Sequence, residues 1–215
     1  NIGSLYSTEN MHEVELATNT FGQGFTCTMI QEAAAFCAVV NGGYYYQPHV
    51  VKKIMDSNGG TVKNVEPILL RRPISSKTSA LIRQYLYATM YGPQDANGNN
   101  ATGRAARIAG YAMGGKTGTA QKYETIEENG VKKTQRAQGK YLVSFIGYVP
   151  QENPQVVVYV VIDEPNVADQ AHSSFAQNIT REILKEILPY LNIYQDEEYD
   201  PEKVVNLDIM GNPVQ

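Results

Sequence analysis

The sequence predicts an α+β fold, an α/β sandwich in which an antiparallel sheet is covered by helices. The apolar segments 141–149 and 156–163 are separated by the short segment Pro150-Gln151-Glu152-Asn153-Pro154, which is too short for the crossover that parallel strands need. Segment 171–191 carries apolar residues at steps of four, as in an amphipathic helix that lies across a sheet. The predicted stripe is Phe175, Ile179, Ile183, Ile187 and Leu191, with Leu184 and Leu188 widening it.

The N-terminal part predicts one helix and two strands. Residues 1–20 are polar, and we expect them to be irregular. Thr28 and Gln31 form a capping box that predicts the start of a helix, and Asn41-Gly42-Gly43 predicts its end. Segments 44–55 and 61–70 are predicted strands on either side of a turn at 57–60.

A second helix is predicted over 76–91, with an apolar inner face. That face comprises Leu81, Ile82, Tyr85, Leu86 and Met90. A polar loop over 92–107 follows, of the kind that often borders a functional site. A further strand is predicted over 110–122, and a polar excursion over 123–140. The predicted domain covers 1–192, and 193–215 is predicted to be an acidic, solvated tail.

Composition excludes several classes of function. The 215 residues are 42% hydrophobic, which suits one globular domain with a core. A net charge of −4 argues against a nucleic-acid partner. The longest apolar run, 156–162, is far shorter than the roughly 20 residues that span a bilayer, so any membrane anchor is expected upstream. The three histidines lack metal-ligand spacing, and we predict neither metal nor cofactor.

The most informative segment is Gly114-Gly115-Lys116-Thr117-Gly118-Thr119-Ala120-Gln121. Lys-Thr-Gly is one of the three short motifs that build the site of penicillin-binding proteins and serine β-lactamases. On a strand beside a cleft, Lys116 supplies positive potential or assists proton transfer, and the Thr117 hydroxyl binds a carboxylate. Gly118 permits close approach of a substrate backbone, and the Thr119 N–H is an oxyanion donor. The alternative is an ordinary surface lysine near a turn.

Segment 110–117 also satisfies the phosphate-binding P-loop pattern, and 156–164 resembles a magnesium-holding Walker B strand. A P-loop must follow a buried strand and open a helix. No amphipathic helix is predicted after Gly118, and 156–163 is the second arm of a tight hairpin. A P-loop NTPase therefore stays as a minor alternative.

The surrounding sequence resembles the transpeptidase domain of class B penicillin-binding proteins, in collinear order over roughly residues 10–190. Met29 departs from the usual proline after the capping Thr. The matching segments are Glu15-Leu16-Ala17-Thr18, Phe21-Gly22-Gln23-Gly24, Thr28 with Gln31, Asn41-Gly42-Gly43, Pro48-His49, Lys116 to Lys122, and Ser144-Phe145-Ile146-Gly147-Tyr148-Val149-Pro150.

The resemblance implies a peptidoglycan D,D-transpeptidase that cross-links D-Ala-D-Ala stem peptides through a serine acyl-enzyme and binds β-lactams. Lys116 and Thr119 would be catalytic. The substrate-binding residues implied are Thr117, Gly118, Thr119, Gln121 and Tyr123. The family also implies the extracytoplasmic face of a bacterial membrane and partners in cell-wall synthesis.

The sequence lacks the other two motifs of this family. None of its serines has lysine three residues later, and no Ser-x-Asn triplet occurs. We therefore expect a C-terminal half of the domain, incomplete on its N-terminal side and inactive alone, with the missing half as its partner. A non-catalytic β-lactam sensor or pseudo-transpeptidase is the main alternative.

Overall fold

The computed structural model of the chain describes residues 6–7, 9–94 and 100–198. Its contacts divide the chain into two compact units, Asn1–Ser75 and Ser76–Gln215. The elements of the first unit are α1 (Glu13–Asn19), α2 (Met29–Val40), β1 (Tyr45–Tyr46), β2 (Lys53–Met55), β3 (Thr61–Asn64) and β4 (Leu69–Arg71).

The predicted capping box at the start of α2 is confirmed. The Thr28 hydroxyl accepts from the Gln31 N–H, and the Gln31 side chain accepts from the Thr28 N–H. The glycine end is confirmed as well: Gly43 has φ +97° and donates to the Ala38 carbonyl. A Cβ at Gly43 would lie 2.0 Å from the Ile74 carbonyl oxygen, so glycine is required by both conformation and space.

Two expectations for this unit are wrong. Residues 13–19, expected to be irregular, form the short helix α1. Glu13 and Glu15 lie in its first turn, where negatively charged side chains stabilise a helix. The two predicted strands are each split: β2 pairs with β3 around the turn, whereas β1 pairs with β4. Pro48 and Pro67 interrupt the two predicted strands, because proline has no backbone N–H to donate to a hydrogen bond between strands.

The second unit contains a three-stranded antiparallel sheet, which confirms the predicted fold class. Its elements are α3 (Ser76–Tyr91), a 3-10 turn (Arg104–Ala106), β5 (Gly114–Glu128), β6 (Val131–Val149), β7 (Val156–Asp163) and α4 (Ser174–Tyr190). The strand order is β5-β6-β7, so β6 is central. Strand, helix and loop side chains share one core, which includes Met90, Ala106, Met113, Phe145, Val149, Ala176, Leu184 and Leu188.

The predicted excursion over 123–140 is instead a continuation of the hairpin. β5 and β6 stay paired out to Glu128 and Val131, where Asn129 and Gly130 make a two-residue turn with φ of 55° and 76°. Asn-Gly is the strongest hairpin signal in a sequence, but the charged flanks hid it. We call residues 123–136 the arm; they are the part of the β5–β6 hairpin that extends beyond the three-stranded region of the sheet.

The buried faces of both helices differ from the predicted ones. In α3, Leu86 and Met90 are buried as expected, whereas Leu81 and Tyr85 are exposed. In α4, Leu184 and Leu188 are buried as predicted, but the rest of the buried face lies one position away from the isoleucine stripe and comprises Ser174, Ala176, Gln177 and Thr180. The small side chains of Ala176 and Thr180 let α4 approach the neighbouring elements closely. Apolar periodicity alone does not reveal such a preference.

The start of the predicted acidic tail is docked rather than solvated. Ile193 is buried, and its carbonyl accepts from the Tyr111 hydroxyl at 3.0 Å. The N–H groups of Asp196 and Glu197 donate to the Gly110 carbonyl, and the Asp196 carboxylate accepts from the Ala112 N–H. These bonds hold 193–197 against the loop that enters β5. Residues 199–215 of the predicted tail lie outside the described residues.

Candidate active site

The Lys-Thr-Gly segment lies on an edge strand. Residues 114–121 of β5 pair with 148–141 of β6 in continuous register. In the part of the chain that the structure describes, no strand pairs with the other side of β5. That side therefore presents backbone donors and acceptors to any extended ligand that approaches it.

One hydrogen bond shows which residues of β5 direct their backbone N–H and C=O groups toward the free edge. The Gly115 carbonyl accepts from the Thr89 hydroxyl of α3, so it points away from β6. In an antiparallel strand, successive residues turn their N–H and C=O groups to opposite sides. Thr117 and Thr119 therefore share the orientation of Gly115. Accordingly, the Thr117 carbonyl accepts from the Lys116 ammonium at 2.7 Å, not from β6.

The glycines of the segment hold it close to β6. A Cβ at Gly115 would lie 2.4 Å from the Phe145 ring and 2.9 Å from the Ile146 carbonyl oxygen. A Cβ at Gly118 would lie 2.4 Å from the Ser144 hydroxyl. Both positions thus depend on the absence of a side chain, and Gly118 leaves the strand flat between Lys116 and Ala120.

Lys116 carries an uncompensated charge. Its side chain is exposed and, among the described residues, bonds to the Thr117 carbonyl without forming an ion pair. Nearby on the same strand, Lys122 donates to Asp163 at 2.9 Å and Glu164 at 2.8 Å. Of these two lysines, Lys116 is therefore the one available to an anionic ligand.

The predicted site residues fall into two groups. Lys116, Thr117, Gly118 and Thr119 are consecutive, and the two threonine hydroxyls have no hydrogen-bond partner in the described part of the chain. Gln121 faces another way, because its amide nitrogen donates to the Ala137 carbonyl at 2.9 Å.

Tyr123 lies beyond an irregularity in the β5–β6 register, on the arm, where its ring is 61% exposed. The structure thus brings four of the six predicted residues together and sets Gln121 and Tyr123 apart.

Sequence reasoning missed two features next to this segment. Thr89 lies in α3, 26 residues before Gly115, and nothing in the local sequence links the two. The contact between Lys122, Asp163 and Glu164 joins β5 to the end of β7 across β6. The hydrogen bonds that Lys122 donates to Glu164 and Asp163 raise its pKa.

The geometry departs from that of a phosphate-binding loop. Lys116 and Thr117 lie within a β-strand, whereas the lysine and threonine of a phosphate-binding loop lie at the start of a helix. β7 runs antiparallel to β6, and its terminal carboxylates are bonded to Lys122. The arrangement instead offers a cation, two hydroxyls and a row of free N–H groups to an extended ligand with a carboxylate.

The family model described as the penicillin binding protein transpeptidase domain matches residues 2–185. The chain belongs to this family. Its relatives include stage V sporulation protein D of Bacillus subtilis, 40% identical over 192 residues, and a peptidoglycan D,D-transpeptidase FtsI homolog of Mesostigma viride, 30% identical over 186 residues. These alignments cover 89% and 82% of this chain, and the chain spans 27% and 29% of the two relatives.

Solved transpeptidase structures share the fold. Penicillin-binding protein 3 of Mycobacterium tuberculosis, complexed with aztreonam, matches 92% of the chain with a TM-score of 0.70 and 26% identity. The apo transpeptidase domain of penicillin-binding protein 3 from Burkholderia pseudomallei matches 91% with a TM-score of 0.67 and 26% identity. The chain spans 42% of the first structure and 52% of the second.

The comparisons confirm the predicted family and fold class. Homologues of the chain are peptidoglycan D,D-transpeptidases, and the Mycobacterium tuberculosis penicillin-binding protein 3 was solved as a complex with the β-lactam aztreonam. Within the described residues, none of the helices has both the length and the apolarity needed to cross a bilayer.

Proposed function

We propose that this chain contributes the substrate-binding strand of a serine-type peptidoglycan D,D-transpeptidase. The free edge of β5, Lys116 to Thr119, binds the D-Ala-D-Ala end of a stem peptide and the β-lactams that mimic it. The observation that carries the proposal is the combination, on four consecutive residues, of a cation, two hydroxyls and an outward N–H; among the described residues, the cation has no ion pair and the hydroxyls have no hydrogen-bond partner.

The roles of the four residues follow from their chemistry. The Lys116 ammonium attracts the substrate carboxylate and helps proton transfer at the reacting serine. The hydroxyls of Thr117 and Thr119 donate to the carboxylate oxygens. The Thr119 N–H, directed away from β6, stabilises the oxyanion that forms when the serine attacks the carbonyl. Gly118 lets the peptide lie close enough to pair with the edge.

Gln121 and Tyr123 are assigned to the outer part of this groove. The Gln121 side chain supports the edge by its bond to the Ala137 carbonyl, and the exposed Tyr123 ring contacts the distal part of a stem peptide. Both contacts contribute less than those of Lys116 to Thr119, because neither side chain reaches the region where the peptide bond breaks.

The nucleophile comes from a part of the protein outside this sequence. None of the serines here has lysine at the third following position. The named relatives are several times longer than the matched segment. We expect that region to carry the serine with its lysine and the Ser-x-Asn motif, to be a required partner of this chain, and to lie with it on the extracytoplasmic face of the membrane. The 215 residues alone are expected to form no penicilloyl ester.

The test is intact-protein mass spectrometry of the full-length protein with ampicillin. We expect a mass gain equal to the drug. Thr117→Val and Thr119→Val should each slow acylation by about 10- to 100-fold, the effect of losing one hydrogen bond to a carboxylate. Because neither hydroxyl has a partner in the described chain, thermal unfolding should not change.

Thr125→Val is the matched control, because Thr125 lies on the same strand but in the arm. We expect this variant to be acylated at the wild-type rate. Absence of any adduct would overturn the proposal. An adduct that forms without turnover of stem peptide would identify a β-lactam sensor instead. Wild-type acylation in both threonine variants would place the binding edge elsewhere.

A further inference from the structure

The last turn of α3 is attached to the entrance of the free edge. The Thr89 side chain is half-buried, and its hydroxyl lies 2.5 Å from the Gly115 carbonyl oxygen and 2.7 Å from the Leu86 carbonyl oxygen. A hydroxyl has one proton to donate. The Leu86 carbonyl already has its helical partner within α3, whereas the Gly115 carbonyl faces away from β6 and has no partner in the strand ladder. The Thr89 hydroxyl therefore donates its proton to the Gly115 carbonyl oxygen.

The turn that carries Thr89 is itself held in place. The Thr89 carbonyl accepts from the Gly103 N–H at 2.9 Å, and the Met90 carbonyl accepts from the Arg107 guanidinium. Carbonyls in the last turn of a helix otherwise lack intrahelical partners. The Arg107 guanidinium also lies 4.6 Å from the centre of the Tyr91 ring, and the Tyr91 hydroxyl donates to the Tyr111 carbonyl at 2.9 Å. The hydroxyl of Thr89 is therefore presented from a fixed position.

The position of this bond along β5 gives it a consequence for the site. Gly115 is the residue directly before Lys116, so α3 satisfies the edge as far as Gly115 and leaves it open from Thr117 onward. A shift of the strand at Gly115 would move the Thr117 and Thr119 N–H groups with it. Glycine at 114, 115 and 118 contributes no side-chain contacts of its own, so the position of this segment depends on its backbone hydrogen bonds.

We propose that Thr89 is a positioning residue, which fixes the start of the free edge through its hydrogen bond to the Gly115 carbonyl. Its effect on catalysis rests on the function proposed above, but its effect on the strand does not. Thr89→Val keeps the branched shape and removes the donor, whereas Thr89→Ser keeps the donor and removes a methyl group. The two variants separate hydrogen bonding from packing.

The first measurement is amide hydrogen exchange of the full-length protein over residues 114–121. Thr89→Val should accelerate exchange of the β5 ladder amides of Lys116 and Gly118 by about fivefold or more, and Thr89→Ser should restore it. Thr180→Val is the control: the Thr180 hydroxyl donates within α4 to the Ala176 carbonyl at 2.9 Å, not to β5. It should leave exchange in β5 unchanged.

The second measurement is the rate of acylation by ampicillin. Thr89→Val should lower it by about 10- to 100-fold, as expected for a displaced site, with Thr89→Ser close to the wild type. Should Thr89→Val fail to fold, Thr89→Ala serves as the donor-free variant. Equal effects of Val and Ser, or none from either, would overturn the proposal. If amide exchange changes in Thr89→Val but ampicillin forms no adduct with the wild-type protein, the transpeptidase function would be contradicted and the positioning role of Thr89 would remain.

Discussion

The two halves of β5 belong to one strand and pair with one neighbour, yet they differ in almost every other respect. The inner half, 114–121, lies in the three-stranded part of the sheet, where its neighbour β6 also pairs with β7, and it is bonded to α3 through Thr89. The outer half, 123–128, belongs to the arm, where β5 and β6 form a two-stranded hairpin. The inner half is rich in glycine and carries Lys116 free of ion pairs. The arm carries glutamates that are bonded to β6, with Lys133 donating to Glu128 and Gln135 to Glu124.

This difference shows how an edge strand is kept both fixed and available. In the inner half the position of the backbone is set by the Phe145 ring packed against Gly115 and by Thr89 at the start of the free edge, so the edge from Thr117 onward needs no covering strand. In the arm, Lys133 of β6 forms an ion pair with Glu128 and Gln135 donates to Glu124, so these two carboxylates of β5 are engaged by β6. We infer that binding chemistry belongs to the inner half and that substitutions there have the larger effects.

The largest effect is expected from Gly115→Ala. The added methyl group would meet the Phe145 ring and the Ile146 carbonyl at distances that no side-chain rotation relieves. Overpacking of this kind costs about 1 to 3 kcal/mol in the free energy of unfolding. Chemical denaturation of the full-length protein would measure it. Thr125→Ala in the arm is the control, and equal losses in the two variants would remove the distinction between the halves.

A smaller effect is expected from shortening the arm. Replacing 124–135 by Asn-Gly would close the hairpin directly after the Tyr123–Arg136 pair with a two-residue turn. We expect the protein to fold and to retain ampicillin acylation within about threefold, because the removed residues lie outside the sheet. Loss of acylation with intact folding would show that the arm takes part in binding.

Lys122 lies at the junction of the two halves, and its titration should report that position. The hydrogen bonds that its ammonium donates to Glu164 and Asp163 raise its pKa above the ordinary value near 10.5. The contact therefore stabilises the fold below about pH 10.5, and this contribution is lost as pH rises through the raised pKa. NMR titration of the Lys122 side chain would check this, with Asp163→Asn/Glu164→Gln as the comparison. An ordinary pKa in the unsubstituted protein would exclude the contact in solution.

The smallest effect is expected from Lys133→Gln in the arm. Lys133 and Glu128 are bonded at 2.7 Å, but both side chains are more than half exposed. Exposed ion pairs contribute about 0 to 1 kcal/mol. Thermal unfolding should therefore barely change, and a loss comparable to that of Gly115→Ala would contradict the view of the arm as a weakly coupled ribbon.

Local signals in the sequence predicted the parts of the fold that depend on local chemistry. The Thr28 capping box, the glycine end of α2 and the short hairpin between β6 and β7 are specified by a few adjacent residues. The arm was missed although Asn129-Gly130 signalled it, because its strands are charged on both faces and lack apolar alternation. The docked segment 193–197 was missed because its partners, Gly110 to Ala112, are distant in sequence.

The candidate site was predicted as a set of residues but not as a geometry. Lys116 to Thr119 form a motif with a recognisable family, whereas the orientation of their backbone groups depends on which edge of β5 is free. That information came from Thr89 and from the strand order, which are tertiary features. For the same reason the sequence placed Gln121 with the ligand groups, although its side chain bonds to Ala137.

The central claim is that the inner edge of β5 binds the drug and, by analogy, the stem peptide. Amide exchange of the full-length protein before and after ampicillin treatment tests it most directly. We predict slower exchange at the Thr117 and Thr119 N–H groups once the adduct has formed, with no change over 123–128. An adduct that forms while Thr117 and Thr119 exchange as before would contradict the claim.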